Sequence, residues 1–244
     1  MLMIAPVKMK VAIILSGMQN VYERSIASIK EIEKKYNTHI FCHCWENESE
    51  MRNYGFESTK YPFPSCPAKS ILEKYKNINY KVSKNSLYKD YFDSLYNQVI
   101  NKNGKSNSSL FSQFFSMNKA DKLRRNYERD NCMKFDIVIR MRFDSLIKFP
   151  LVFEKFDLKK INIERSMYYF AEHVQPGKPK GINDQFAFGP SDLMTYYFDV
   201  FNHMVKITNE KNSYFCPHYI LGQHLLNGKI PVDLLDIAVR VHQD

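Results

Sequence analysis

Long hydrophobic runs are missing from this 244-residue chain. The longest, Val11 to Leu15, falls far short of the ~20 apolar residues that cross a bilayer, which excludes an integral-membrane reading of these residues. The opening stretch, Met1 to Pro6, is too short for a signal-peptide core and carries no cleavage pattern, so secretion is not expected. Cysteine is sparse and odd in number: Cys42, Cys44, Cys66, Cys132 and Cys216 are scattered along the chain. That is no disulfide framework, and a reducing cytoplasm is the expected compartment. There is no G-x-G-x-x-G fingerprint, no P-loop lysine and no G-x-S-x-G elbow, so dinucleotide, ATP-cradle and hydrolase-elbow chemistry have no support. Internal repeats and a clear domain boundary are also lacking, and a single domain over residues 1–244 is expected.

What is present is globular: 44% hydrophobic and 25% charged positions, enough for one sizeable core. Lysine and arginine number 35 against 26 acidic residues, a net charge of +9. That excess favours an anionic partner, whether nucleic acid, an anionic membrane surface or a phosphorylated small molecule.

Residues 10–16 are apolar without alternation, the pattern of a strand covered on both faces, and they end in a Ser16-Gly17 turn. Asn20 with Glu23 has capping-box spacing, predicting a helix from there to about Tyr36. Residues 38–45 form a second strand, completing a βαβ unit and so a parallel sheet. Residues 47–108 are broken by prolines and polar loops; beyond a short strand at Ile78–Val82 they suggest an acceptor-side or mobile insertion. A helix of about five turns follows from Leu110, with Lys119, Lys122, Arg124, Arg125 and Arg129 on its outer face, the ordinary pattern of a solvated basic surface. Two strands are predicted within 158–173, a short one at 185–189, a helix capped by Ser191 and continuing through Val205, a helix near 218–226 and a last strand at 237–241.

The most informative stretch runs from Asp136 to Asp144. Ile137, Val138 and Ile139 are apolar; then Arg140, Arg142 and Asp144 alternate with Met141 and Phe143, which puts the three ionisable groups on one face. Charges are tolerated at the carboxyl end of such a strand, in the crevice where open α/β sheets bind ligands. Two guanidinium groups beside a carboxylate suit a diphosphate, with Asp144 able to hold a divalent ion. The same trio also suits an internal ion-pair cluster closing the sheet edge.

Asn183-Asp184-Gln185 precedes a short apolar strand and a Gly-Pro turn. Asp184 has the chemistry of a general base for an acceptor hydroxyl, and the triplet equally suits a turn cap. Ser16 to Gln19, between a strand and a helix, can receive a nucleotide's phosphate or base. Cys42-His43-Cys44 lacks a second cysteine pair, and in a strand its thiols point away from His43, so buried thiols are expected rather than zinc. His242 near the last strand is a further metal-ligand candidate, and also an ordinary surface histidine.

These segments resemble the small nucleotide-sugar glycosyltransferases of GT-A-type fold found in bacterial surface-polysaccharide clusters and large DNA viruses. The resemblance rests on Leu15-Ser16-Gly17, on His43-Cys44-Trp45-Glu46, on Gln113, Ser116, Tyr127 and Glu128 of one helix, on Asp136 to Asp144, and on Asp184 to Gly189. Each motif is short; their order and spacing carry the likeness over residues 11 to 205. It implies an α/β fold, GT-A-like, with a mostly parallel central sheet flanked by helices and a small antiparallel addition. It implies a nucleotide-diphosphate-sugar donor and a glycan or lipid-linked acceptor, with peripheral membrane contact compatible and nucleic acid not expected. Ser16, Gly17, Lys119, Arg140, Arg142, Asp144 and Gln185 would bind the donor and Asp184 would act on the acceptor. GT-A enzymes hold Mn²⁺ or Mg²⁺ with an Asp-x-Asp; here Arg142 takes the first place, so either Asp144 alone anchors the ion or Arg140 and Arg142 neutralise the diphosphate without one. A nucleotidyltransferase of similar fold and a non-catalytic nucleic-acid- or sugar-binding protein are the rival readings.

Overall fold

Strand β1, Lys10–Gly17, is buried along its whole apolar run, and the sheet grows outward from it on both edges. The computed structural model describes residues 8–17, 19, 22–46, 68–100, 107–148, 150–165, 181–210, 214–236 and 239–240. Seven strands form one sheet: β1, β2 (Asn37–Trp45), β3 (Ile78–Ser83), β4 (Ile137–Met141), β6 (Ile161–Glu164), β7 (Ala187–Gly189) and β8 (Val232–Leu235), ordered β3-β2-β1-β4-β7-β6-β8. β1 runs parallel to β2 and β4, β2 to β3, and β6 to β8, whereas β7 is antiparallel to both its neighbours. The fold is thus α/β with a mostly parallel mixed sheet. A small antiparallel pair, β5 (Leu146–Ile147) with β9 (Val239–Arg240), stands beside it.

Alternation along the strands divides the core. Val11, Ile13 and Leu15 join Ile137, Ile139 and Met141 on the face covered by α1 (Glu23–Glu33) and α2 (Ala68–Leu72). Ala12, Ile14 and Val138 face the opposite layer, built from α3 (Lys89–Asn97), α4 (Ser109–Asp130), α5 (Ser191–Phe198), α6 (Val200–Asn209) and α7 (Pro217–Asn227).

Several expectations are corrected. α1 begins at Glu23, flanked by Tyr22, which makes no side-chain cap, and Asn20 lies outside the described residues. The stretch 68–97 holds α2 and α3 besides the expected strand; α3 buries Phe92 and little else, too thin an apolar stripe to announce a helix. The helix expected from Ser191 through Val205 breaks at Asp199 into α5 and α6, and Ser191 is the first residue of α5 rather than its cap. β8 was not foreseen, and of the strands expected in 158–173 β6 is described while 166–180 fall outside the described residues. Cys66 and His242 fall outside them too.

Arg124 is the largest correction. It is not on a solvated face but fully buried. Its Nε donates to Asp121 Oδ1 at 2.8 Å, Nη1 to Glu128 Oε2 at 2.7 Å, and Nη2 to Thr195 Oγ1 at 2.6 Å; Nη1 also reaches Ser191 Oγ. Glu128 in turn accepts from Ser191 Oγ at 2.9 Å and from the Phe135 amide at 3.0 Å. One guanidinium therefore ties α4 to α5 and to the entry of β4. Truncation leaves Glu128 without its cation and Asp121 with only the partly exposed Arg125, so Arg124→Ala is expected to lower the unfolding free energy by about 3–5 kcal/mol. Urea denaturation checks this; a loss of about 1 kcal/mol or less, the range of exposed pairs, would contradict the network.

Candidate active site

Topology alone brings the predicted motifs to one edge. Leu15 pairs with Met141, so Ser16 and Gly17 emerge beside Arg142 at the carboxyl ends of β1 and β4. β7 is reversed and pairs Ala187 with Arg140, so Asp184 and Gln185, just before it, arrive at the same edge. Gly17 has φ +108°, a backbone region in which a side chain is strained, and this lets the chain turn off β1.

β4 ends at Met141, earlier than the charge pattern suggested, and a turn follows in which the Arg142 amide donates to Ser145 Oγ at 3.0 Å and the Ser145 amide to the Arg142 carbonyl at 3.2 Å. Arg142 Nε and Nη2 grip Asp144 Oδ1 and Oδ2 at 2.9 and 2.8 Å, a two-pronged pair. The Arg142 side chain stays 30% exposed and that of Asp144 6%. Burial works against the Arg142 charge, but Asp144 outweighs it and holds the guanidinium above its ordinary value. Arg140 lies deeper and fully buried on the α4 side of the sheet; burial draws it down to about 10 against the upward pull of Tyr197, Asp184 and Asp144. The trio therefore does not fan into one open cleft: Arg142 reaches the surface, while Arg140 and Asp144 lie beneath it.

Asp184 is the hub, 3% exposed. Gln113 Nε2 of α4 donates to its Oδ2, and His218 Nδ1 of α7 stands 3.2 Å from its Oδ1. Burial alone would raise the Asp184 pKa, yet His218, Arg142 and Arg140 bring it below the ordinary 3.8. His218 mirrors it: burial lowers its pKa, but the Asp184 bond and charge prevail and hold it above 6.5. The preceding Asn183 takes up the turn role, accepting from the Gln185 amide at 2.7 Å and donating to Glu164 of β6.

Gln19 is almost fully buried and its Nε2 donates to the Trp45 carbonyl at 2.9 Å. Ser16 Oγ, Gln19 Oε1, Arg140 Nε and Tyr197 OH are buried with no hydrogen-bond partner among the described residues. Lys119 of α4 lies 4.8 Å over the Phe115 ring, with burial, then Lys122 and Lys81, lowering its pKa. Cys42 and Cys44 are buried free thiols, as their strand placement implied. His43, on the other face, exchanges hydrogen bonds with Ser116 (Nδ1 to Oγ, 2.9 Å) and Ser83 (3.1 Å), and burial, then Lys81 and Lys119, take it down to about 3, so it is neutral.

Among the described residues, Asp144 is already paired and would take a divalent ion only in competition with Arg142. Both Asp144 oxygens accept from Arg142, and a guanidinium stands where the ion's charge would lie. Among the described residues no three His, Cys, Asp or Glu side chains gather closely enough to ligate a metal. The sequence missed His218 and Tyr197 as members of the site, whereas Gln19 lies in the Ser16 to Gln19 turn singled out from the sequence. Nothing in the spacing links residue 218 to residue 184; α7 alone makes that contact.

No protein-family model matches the chain, and no curated protein does. Among solved structures, the crystal structure of apo mouse xyloside xylosyltransferase 1 is similar to it with a TM-score of 0.44 and 10% identity, covering 92% of this chain and 85% of that one. A likeness so distant identifies neither substrate nor site.

The Asp184–His218 pair fixes a pH window. Asp184, depressed, contributes fully above 3.8 and is lost as pH falls through its folded value; His218, raised, contributes fully below 6.5 and is lost as pH rises through its folded value. The stability difference between wild type and Asp184→Asn is therefore expected to be larger at pH 5 than at pH 8.5. Urea titrations at both values check it, and equal differences would contradict the ion pair.

Proposed function

We propose that this protein is a glycosyltransferase of GT-A type, moving a sugar from a nucleoside-diphosphate donor to a glycan or lipid-linked acceptor. The observation that carries the reading is the convergence of segments far apart in sequence on one sheet edge. Ser16-Gly17, Arg142–Asp144 and Asp184–Gln185 lie together there, beside buried polar atoms left without partners. Buried polar groups in native proteins are almost always satisfied, so these atoms call for a partner such as a bound water or a polar group of the donor.

In this reading the base and ribose of the donor lie over Ser16, Gly17 and Gln19. Arg142, the guanidinium nearest the surface, meets the diphosphate with its remaining N–H groups, with Gln185 alongside, and Asp144 fixes its direction by gripping Nε and Nη2. Arg140 adds positive potential from below. As the bond from the anomeric carbon to the diphosphate breaks, negative charge grows on the leaving group, and fixed cations in a water-poor site stabilise it without reorganising. No metal takes part at Asp144. Lys119, close to Lys122 and Lys81, is a further cation for the donor in this reading. The buried free thiols of Cys42 and Cys44 suit a reducing cytoplasm.

The test is a thermal-shift screen of UDP-, GDP-, dTDP- and CMP-linked sugars, with Mn²⁺ and with EDTA. One diphosphate donor at about a hundred times its Kd is expected to raise Tm by about 5–10 °C. The shift should be equal in EDTA and strongly reduced in Arg142→Lys, which keeps the charge and loses the fork. No shift with any donor would overturn the assignment, and a shift that needs Mn²⁺ would overturn the metal-free site.

A further inference from the structure

The leaving diphosphate accounts for one half of a transfer; the acceptor's proton is the other. We propose that His218 is the group that takes this proton, through Nε2, and that Asp184 is a positioning residue that acts through it. The inference rests on the glycosyl-transfer reading and names a catalytic group for that same site.

The geometry around His218 fixes which nitrogen is free to react. Nδ1 lies 3.1 Å from the Ile182 carbonyl and 3.2 Å from Asp184 Oδ1. A carbonyl oxygen can only accept, so Nδ1 carries the hydrogen and, in the neutral ring, Nε2 carries the lone pair. Among the described residues nothing bonds to Nε2, and the side chain keeps 20% exposure. The ring is held on both sides of its backbone: the Ile182 amide donates to the His218 carbonyl at 3.1 Å, and Gly181 packs so closely that a Cβ there would lie 2.9 Å from the His218 Cβ. A carboxylate on Nδ1, a fixed tautomer and an accessible Nε2 make a general base whose conjugate acid is stabilised by Asp184.

Asp184 itself is poorly suited to that task. Its two oxygens are engaged by Gln113 and His218, and Arg140 and Arg142 press upon its charge. A carboxylate so stabilised has little drive to accept a proton, whereas an imidazole above its ordinary value is matched to neutral pH. The titratable and charged groups facing His218 are Asp184 from the segment before β7, Arg142 from the turn after β4 and Cys216 at the start of α7.

The step balances as follows. The acceptor oxygen forms a bond to the anomeric carbon, and the bond from that carbon to the diphosphate breaks with its electron pair on the leaving oxygen. The acceptor's proton passes to His218 Nε2, leaving an imidazolium paired with Asp184.

Water can replace the unidentified acceptor, so the experiment follows release of nucleoside diphosphate from UDP-, GDP- and dTDP-linked sugars against pH in the full chain. In wild type, kcat should fall at acidic pH as His218 protonates. His218→Gln is expected to lose about 100-fold in kcat with donor KM within twofold, and to lose the acidic limb. Asp184→Asn should keep an acidic limb, displaced to lower pH by about one unit because the imidazolium has lost its carboxylate. A purely structural role for either residue would not move that limb. Near-wild-type kcat in His218→Gln, or an unmoved limb in Asp184→Asn, would overturn the dyad while leaving the transferase assignment standing. Absence of both donor binding and diphosphate release in wild type would instead remove that assignment, and the inference with it. Should His218→Gln not fold, the nitrogen-15 spectrum of the wild-type ring decides: a protonated Nδ1 with a bare Nε2 supports the dyad, and the opposite tautomer overturns it.

Discussion

Two guanidinium groups, an imidazole and two carboxylates share the carboxyl edge of the sheet with little water to screen them. Arg140, Arg142 and His218 face Asp144 and Asp184, and Asp184 and Arg140 are almost fully buried. Ions in such surroundings are tolerated only where their partners are held at hydrogen-bond distance. The partners come from different elements: the turn after β4, the segment before β7 and the first turn of α7, with Gln113 reaching in from α4. The edge is therefore a geometric requirement on the entire α4–α7 layer. If α7 or β7 shifted by a residue, a buried charge would lose its counterion.

That requirement explains much of what the packing layer does. α4 presents Gln113 to Asp184, Ser116 to His43 and Arg124 with Glu128 to Ser191 and Phe135, so one helix sets the spacing of β2, β4, α5 and the hub carboxylate. Gln113, Ser116 and Glu128 are also positions in the sequence motifs on which the resemblance to glycosyltransferases rests. Two of them are struts: Ser116 donates to the His43 carbonyl at 2.8 Å, and Glu128 completes the shell of a buried guanidinium. Only Gln113 touches the charged edge. A recurring motif residue can thus serve architecture, and chemistry must be assigned by contact.

The sequence was informative wherever a pattern is local. The apolar runs of β1 and β4, the helical period of α4, the orientation of Cys42 and Cys44 against His43, and the carboxyl-edge position of Ser16, Arg142 and Asp144 follow from two- and 3.6-residue periods. It failed where a side chain's fate depends on a distant element. Arg124 has the helical phase of a surface residue, and only the arrival of Ser191 and Thr195 from α5 buries it. α3 is too short and polar for its period to show. His218 carries no mark of its partnership with Asp184, because their separation of 34 residues is closed by tertiary packing alone. The α5–α6 break at Asp199 is likewise invisible to a stripe of apolar residues that runs through it.

Arginine at position 142 changes how the edge manages charge. An Asp-x-Asp pair concentrates negative charge and needs a dication before it can accept a diphosphate. The Arg142–Asp144 pair is close to neutral by itself, and Arg140 beneath it offsets the charge of Asp184 without an ion. A guanidinium also offers fixed donor directions, which a spherical ion lacks. The exchange has a consequence for the acceptor side. In the metal-free reading proposed above, the proton goes to a side chain, and Asp184, its pKa lowered by His218 and by the same arginines that would serve the diphosphate, is a weak candidate to take it. The positive charge that favours the leaving group thus disfavours the nearest carboxylate as a base, and a neighbouring imidazole able to use that carboxylate as its counterion meets both demands at once.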